Sequence, residues 1–123
     1  MPTVFVVDDD ASVGKALGRL IRAGGYDVEV FSAAADYLAR PAPERPACLV
    51  VDIRMPGMTG VELQRRIEGT QMGLPIVFMT GHGDDTMRRQ TLAAGAVEVL
   101  YKPVEDQALF AAIELALRRS EPH

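Results

Sequence analysis

The sequence predicts one α/β domain built on a parallel sheet. Short apolar runs alternate with longer stretches of helical period along the chain. At 123 residues the chain fits a single domain, for which about 100–200 residues is usual. The first, third and fourth runs are almost continuously apolar, as strands are when helices cover both faces of a sheet.

Val4–Val7 reads as the first strand. A helix over Ala11–Ala23 follows, with Val13, Leu17, Leu20 and Ile21 on one face, and Gly24-Gly25 stops it. Tyr26–Phe31 reads as the second strand, after which Ser32 is placed to cap a short Ala-rich helix. Arg40–Pro46 holds three prolines and reads as a surface loop. Cys48–Ile53 is the third strand, and Thr59 opens a helix whose apolar positions are Val61, Leu63 and Ile67. Pro75–Thr80 is the fourth strand. Asp84 or Asp85 caps the next helix, which Gly95 ends. Val97–Lys102 is the fifth strand. The last helix runs from Glu105 to about Arg119, with Leu109, Phe110, Ile113 and Leu117 inward and Arg118-Arg119 against the dipole of its last turn.

The second run (Tyr26-Asp27-Val28-Glu29-Val30) alternates apolar with charged residues, and the fifth carries Glu98 inside it, so these two belong at the sheet edges. A flavodoxin-like, doubly wound five-stranded sheet of order 2-1-3-4-5, with five helices, places them there. The domain is expected to span residues 1–119, leaving 120–123 as a tail or the start of a linker.

Composition narrows the function classes. The formal net charge of −4 lacks the basic excess of a chain built to grip nucleic-acid phosphates. The lone Cys48 excludes an internal disulfide and a cysteine zinc site, and fits a small buried core residue. His82 and His123 are too few for a metal site of their own. The longest apolar run, Ala108–Ile113, is far short of the about 20 residues a membrane span needs. A cytoplasmic domain without membrane association is expected.

Ligands of open parallel sheets bind beyond the carboxyl ends of the strands, where the strand order reverses. There the first strand delivers Asp8-Asp9-Asp10, the third Asp52, the fourth Thr80 and the fifth Lys102-Pro103. Crowded carboxylates repel, and a hard divalent cation such as Mg²⁺ relieves them. A carboxylate beside Mg²⁺ can attack a phosphoryl group, while metal, lysine and hydroxyl neutralise the transferred oxygens. These parts suit phosphoryl transfer to an aspartate. Asp10 is read as a helix cap or a solvated acid.

Four segments, VFVVDDD at 4–10, VVDIRMPGMTG at 50–60, FMTGHGD at 78–84 and GAVEVLYKPV at 95–104, resemble the signature segments of response-regulator receiver domains of two-component signalling. The TGHGD segment is similar to the subfamily commonly followed by a LuxR-type helix-turn-helix output domain. The resemblance implies that Asp52 accepts the phosphoryl group and that Asp8, Asp9, Asp52 and the backbone carbonyl of Arg54 hold Mg²⁺. It also implies that Thr80 and Lys102 bind the phosphoryl oxygens, that a cis bond precedes Pro103, and that Gly60 lets the third helix start close to the site. Arg54 and His82 match positions that tune the lifetime of the phosphoryl bond. One departure stands out: the switch aromatic, three residues before the lysine, is Val99 here, and Tyr101 on the same strand face is a candidate substitute.

The implied function is a phosphorylation-controlled switch and not a turnover enzyme. Its partners would be a sensor histidine kinase and, on phosphorylation, a second copy of the chain, with DNA reached only through a separate output domain. The last strand and the fourth and fifth helices would be the moving face, coupled through Thr80. Three rival readings are weaker. A phosphatase of the haloacid dehalogenase type finds D-x-D at Asp8 and Asp10, but no cap insertion follows. A nucleotide- or flavin-binding domain lacks GxxxxGK[ST]. A receiver that signals without phosphorylation has only Val99 in its favour.

Overall fold

In a computed structural model the described residues are 2–41, 43–44, 46–53, 60–71, 74–81 and 85–120. The strands are β1 (Thr3–Val7), β2 (Asp27–Phe31), β3 (Ala47–Asp52), β4 (Ile76–Thr80) and β5 (Glu98–Tyr101). The helices are α1 (Ala11–Ala23), α2 (Ala34–Leu38), α3 (Gly60–Gln71), α4 (Asp85–Ala93) and α5 (Asp106–Ser120). All strands are parallel, in the order β2-β1-β3-β4-β5, and the two charged strands are the edges as predicted.

Alternation along each strand divides the core between the two faces of the sheet. Phe5, Val7, Leu49, Val51, Ile76, Phe78 and Val99 face one layer, shared with Tyr37 of α2 and with Leu63 and Ile67 of α3. Val4, Val6, Cys48, Val50, Val77 and Met79 face the other, closed by Ile21 of α1 and by Leu109, Ile113 and Leu117 of α5. Cys48 is buried, and burial pushes its thiol up to about 12, which leaves a core residue with no reactive thiolate.

Some local expectations are corrected and others hold. Ser32 does not cap α2: the N-cap is Ala33, and no side chain bonds the first turn. On α1 the buried positions are Gly14, Gly18 and Ile21, with Leu17 and Leu20 only partly buried. A Cβ on Gly18 would come within 2.9 Å of Val30 Cγ2, so the helix packs on β2 more closely than a side chain would allow. Phe110 is half-buried and stacks on Tyr26, with ring centroids 6.3 Å apart, while Ala112 and Ala116 fill the core beneath it. Asp10 is the N-cap of α1, accepting from the Ser12 and Val13 N–H groups at 2.9 and 3.2 Å. Gly25 follows the end of α1 at φ 97°, and Gly95 follows α4 at φ 111°, both in the left-handed region that favours glycine. Helix α5 runs to Ser120, which is buried; its Oγ accepts the Ala47 N–H at 3.0 Å and ties the end of the last helix to the start of β3. Thr59 and Asp84 lie outside the described residues.

Candidate functional site

The carboxyl ends of β1, β3, β4 and β5 meet at one edge of the sheet. Asp8 follows β1, and its backbone N–H continues the ladder to Phe31 O at 3.0 Å. Its side chain turns inward and is 1% exposed. Asp8 Oδ1 accepts the Asp10 N–H at 2.9 Å, and Oδ2 lies 3.5 Å from Lys102 Nζ. Asp52 is the last residue of β3, 8% exposed, and its Oδ2 accepts from Lys102 Nζ at 2.8 Å. Asp9 sits beside them at the surface, and one carboxylate oxygen from each of Asp8, Asp9 and Asp52 lies within 4.8 Å of the others. Thr80 ends β4 fully buried, and its carbonyl accepts the Lys102 N–H at 2.8 Å, which fixes the lysine backbone beside the β4 terminus. The Lys102–Pro103 bond is cis.

The electrostatics follow from burial. Desolvation raises the Asp8 carboxyl above its ordinary 3.8, although the Asp10 N–H and the Lys102 charge pull it down. Burial opposes the Lys102 ammonium, but the hydrogen bond and charge of Asp52, then those of Asp8, outweigh it and hold the lysine above its ordinary 10.5. Asp8 and Asp52 thus share the Lys102 ammonium, with the exposed Asp9 carboxylate beside them at the mouth of the site, so carboxylates outnumber this ammonium in the cluster. A hard, oxygen-seeking divalent cation fits that donor set; softer metals that favour His or Cys do not.

A family model described as the response regulator receiver domain matches residues 4–114. The chain belongs to that family. It is 40% identical over 119 residues to the transcriptional regulatory protein FixJ of Bradyrhizobium diazoefficiens, covering 97% of this chain and 58% of that one. It is 38% identical over 115 residues to the response regulator protein TodT of Pseudomonas putida, covering 94% of this chain and 51% of TodT. The receiver therefore spans a little over half the length of these curated relatives. Among solved structures it resembles FixJ-N with a TM-score of 0.90 at 36% identity, over 100% of this chain and 98% of that one. It resembles the response regulator StyR with a TM-score of 0.88 at 50% identity, over 97% of this chain and 60% of StyR.

The receiver brings together Asp8, Asp9, Asp52, Thr80 and Lys102, all read from the strand ends. Arg54 and His82 lie outside the described residues, and Gly60 is the first residue of α3. Val99 is buried in the core layer beneath α3, whereas Tyr101 is 42% exposed and pairs in register with Thr80. A valine at the buried position cannot alternate between inner and outer sites as a ring can; Tyr101 already stands outside.

Four contacts have no counterpart in the sequence analysis. Arg88 of α4 pairs with Glu98 of β5 at 2.7 Å. Gln64 of α3 is buried and donates to Ala94 O at 3.1 Å. Arg40 stands 4.5 Å over the Phe5 ring while pairing with Glu29 at 3.1 Å. The charges of Glu29 and Glu98 inside their strands are the visible signals of two of these contacts, and both also mark the sheet edges. No described helix is long and apolar enough to cross a membrane.

Proposed function

We propose that this receiver accepts a phosphoryl group on Asp52 from the phosphohistidine of a sensor kinase and thereby changes its affinity for a partner. The supporting observation is the convergence of Asp8, Asp9 and Asp52 within 4.8 Å, with Lys102 Nζ held on Asp52. A carboxylate oxygen of Asp52 attacks phosphorus in line with the leaving imidazole nitrogen. The O–P bond forms as the N–P bond breaks, and its electron pair returns to the imidazole. Asp8, Asp9 and Asp52 would hold Mg²⁺, with the Arg54 carbonyl; bound there, the metal neutralises charge on the phosphoryl oxygens. Lys102, fixed through its backbone to Thr80, is placed to exchange the Asp52 oxygen for a phosphoryl oxygen. The Thr80 hydroxyl supplies a further donor. Thr80 and Tyr101 are the residues through which the change would be relayed, Tyr101 standing in for the aromatic that Val99 replaces, and Arg54 and His82 those that set its lifetime.

The group is held transiently and not turned over on a substrate. Output through a separate DNA-binding domain, phosphorylation-dependent pairing with a second copy, and action in the cytoplasm complete the proposal. It draws on the likeness to a protein named as a transcriptional regulator, of which this chain covers 58%. Incubation with acetyl phosphate and Mg²⁺ followed by intact mass measurement tests it. One added phosphoryl group is expected, lost in Asp52→Asn and in the presence of a chelator. Equal labelling of Asp52→Asn would refute the assignment.

A further inference from the structure

Helix α4 is attached to the domain differently from its neighbours. Helix α5 buries Leu109, Ala112, Ile113, Ala116, Leu117 and Ser120, whereas α4 buries Thr91 alone. The Thr91 hydroxyl donates to Met87 O at 2.8 Å, within the same helix, and makes no tie to another element there. Leu92 is only partly buried against the core. Beside Leu92, α4 is tied to β5 by a polar contact. Arg88 Nη2 donates to Glu98 Oε1 at 2.7 Å, and the same oxygen accepts the Val99 N–H of β5 at 2.9 Å. The Glu98 carboxylate is thus anchored to its own strand and pairs with the Arg88 guanidinium of α4.

A second feature marks the α3–α4 contact as unsettled. Gln64 Nε2 donates to Ala94 O just past the end of α4, yet its buried Oε1 has no donor among the described residues. A buried acceptor left without a donor is costly, and among the described residues none satisfies Gln64 Oε1 in this placement of the helix. Elements with few buried apolar contacts are those that move at low free-energy cost. Here the switch-aromatic position holds Val99, buried in the core and unable to act as a ring gate.

We propose that the Arg88–Glu98 ion pair is a latch that holds α4 in its resting place on β5, and that switching of the receiver requires its release. This inference rests on Asp52 as the acceptor. A ligand that favours the released state must work against the latch, so weakening the latch strengthens the ligand's apparent binding.

The test uses beryllofluoride, a phosphoryl mimic, titrated with Mg²⁺ against the intact chain and followed by amide resonances around Asp52 and along α4. Arg88→Ala is expected to lower the half-saturating beryllofluoride concentration about two- to fivefold, the range of an exposed ion pair. Glu98→Gln, which keeps an acceptor for the Val99 N–H, is expected to do the same. Arg88→Lys should stay near wild type, and Arg88→Ala/Glu98→Gln should differ little from either single variant, because both remove one interaction. Unchanged or higher half-saturating concentrations in both single variants, or two effects that add independently, would overturn the latch while leaving Asp52 as acceptor. A wild-type chain whose resonances do not respond at all would overturn the acceptor reading, and the latch with it.

Discussion

Replacing Lys102 by methionine isolates the stabilising part of the site. The ammonium lies 2.8 Å from Asp52 and 3.5 Å from Asp8, both buried carboxylates. Coulomb's law at an effective dielectric near 20 gives gross attractions of about 6 and about 5 kcal/mol for these contacts. Desolvation consumes most of that, and the lysine side chain is itself 30% exposed, so water screens part of the remainder. Removing one partner of a fully buried pair costs about 3–5 kcal/mol; with this exposure Lys102→Met should cost about 2–3 kcal/mol without divalent cation. For a domain of this size that is a fall of roughly 8–12 °C in the unfolding midpoint. Adding Mg²⁺ should stabilise the variant more than the wild type, because a cation at the acid cluster restores compensating charge. Calorimetry of both proteins, in chelator and in excess Mg²⁺, measures it. A variant as stable as wild type in chelator, or an identical loss in both buffers, would refute the electrostatic account.

Three further outcomes follow from the same structure. Ser120→Ala removes the acceptor of the buried Ala47 N–H and should cost about 1–3 kcal/mol in urea unfolding while leaving phosphorylation intact. Asp8 is raised above 3.8 in the folded chain, so its contribution to stability is present below that value and lost as pH rises through the raised one. In the absence of divalent cation, Asp8→Asn should therefore lose less stability than wild type on going from about pH 4 to about pH 7 in unfolding titrations, while its Mg²⁺ affinity falls. Gly25→Ala places a side chain at φ 97° and should cost about 1 kcal/mol by the same measurement, although nothing lies within 4 Å of the added Cβ.

The strand order and the acid cluster were legible because each rests on a local signal. Continuous apolar runs mark strands buried on both faces, and charge inside Asp27–Phe31 and Glu98–Tyr101 marks the edges. Once the order is known, topology places Asp8, Asp9, Asp52, Thr80 and Lys102 together without reference to their distance in sequence. Less legible was anything set by side-chain fit. Gly14 and Gly18 read as gaps in the apolar stripe of α1, yet they are its buried positions, because Val30 of β2 presses against them. Ser32 had the right chemistry for a cap, but the chain enters α2 one residue later, at Ala33. Ser120 looked like tail, since its role depends on an N–H contributed by Ala47 at the other side of the chain.

The site and the latch express one physical arrangement at two strengths. At the strand ends Asp8 is kept almost wholly from water despite the cost, compensated by the Asp10 N–H and by an ammonium it shares with Asp52. The site is thus less comfortable in the resting chain than it would be with added positive charge, which is the condition for a cation to shift the structure when it binds. At β5 the tie is deliberately weaker in kind: Arg88 and Glu98 are 38% and 35% exposed, and water competes with every contact they make. A tie that a bound phosphoryl group is to overcome must not exceed the about 1–3 kcal/mol that allosteric coupling commonly spans. The two- to fivefold effect expected of an exposed ion pair, about 0.4–1 kcal/mol, stays within that limit, whereas breaking a buried ion pair, at about 3–5 kcal/mol, would exceed it. By that measure the partly solvated Arg88–Glu98 pair between α4 and β5 has a strength compatible with the reversible latch proposed above.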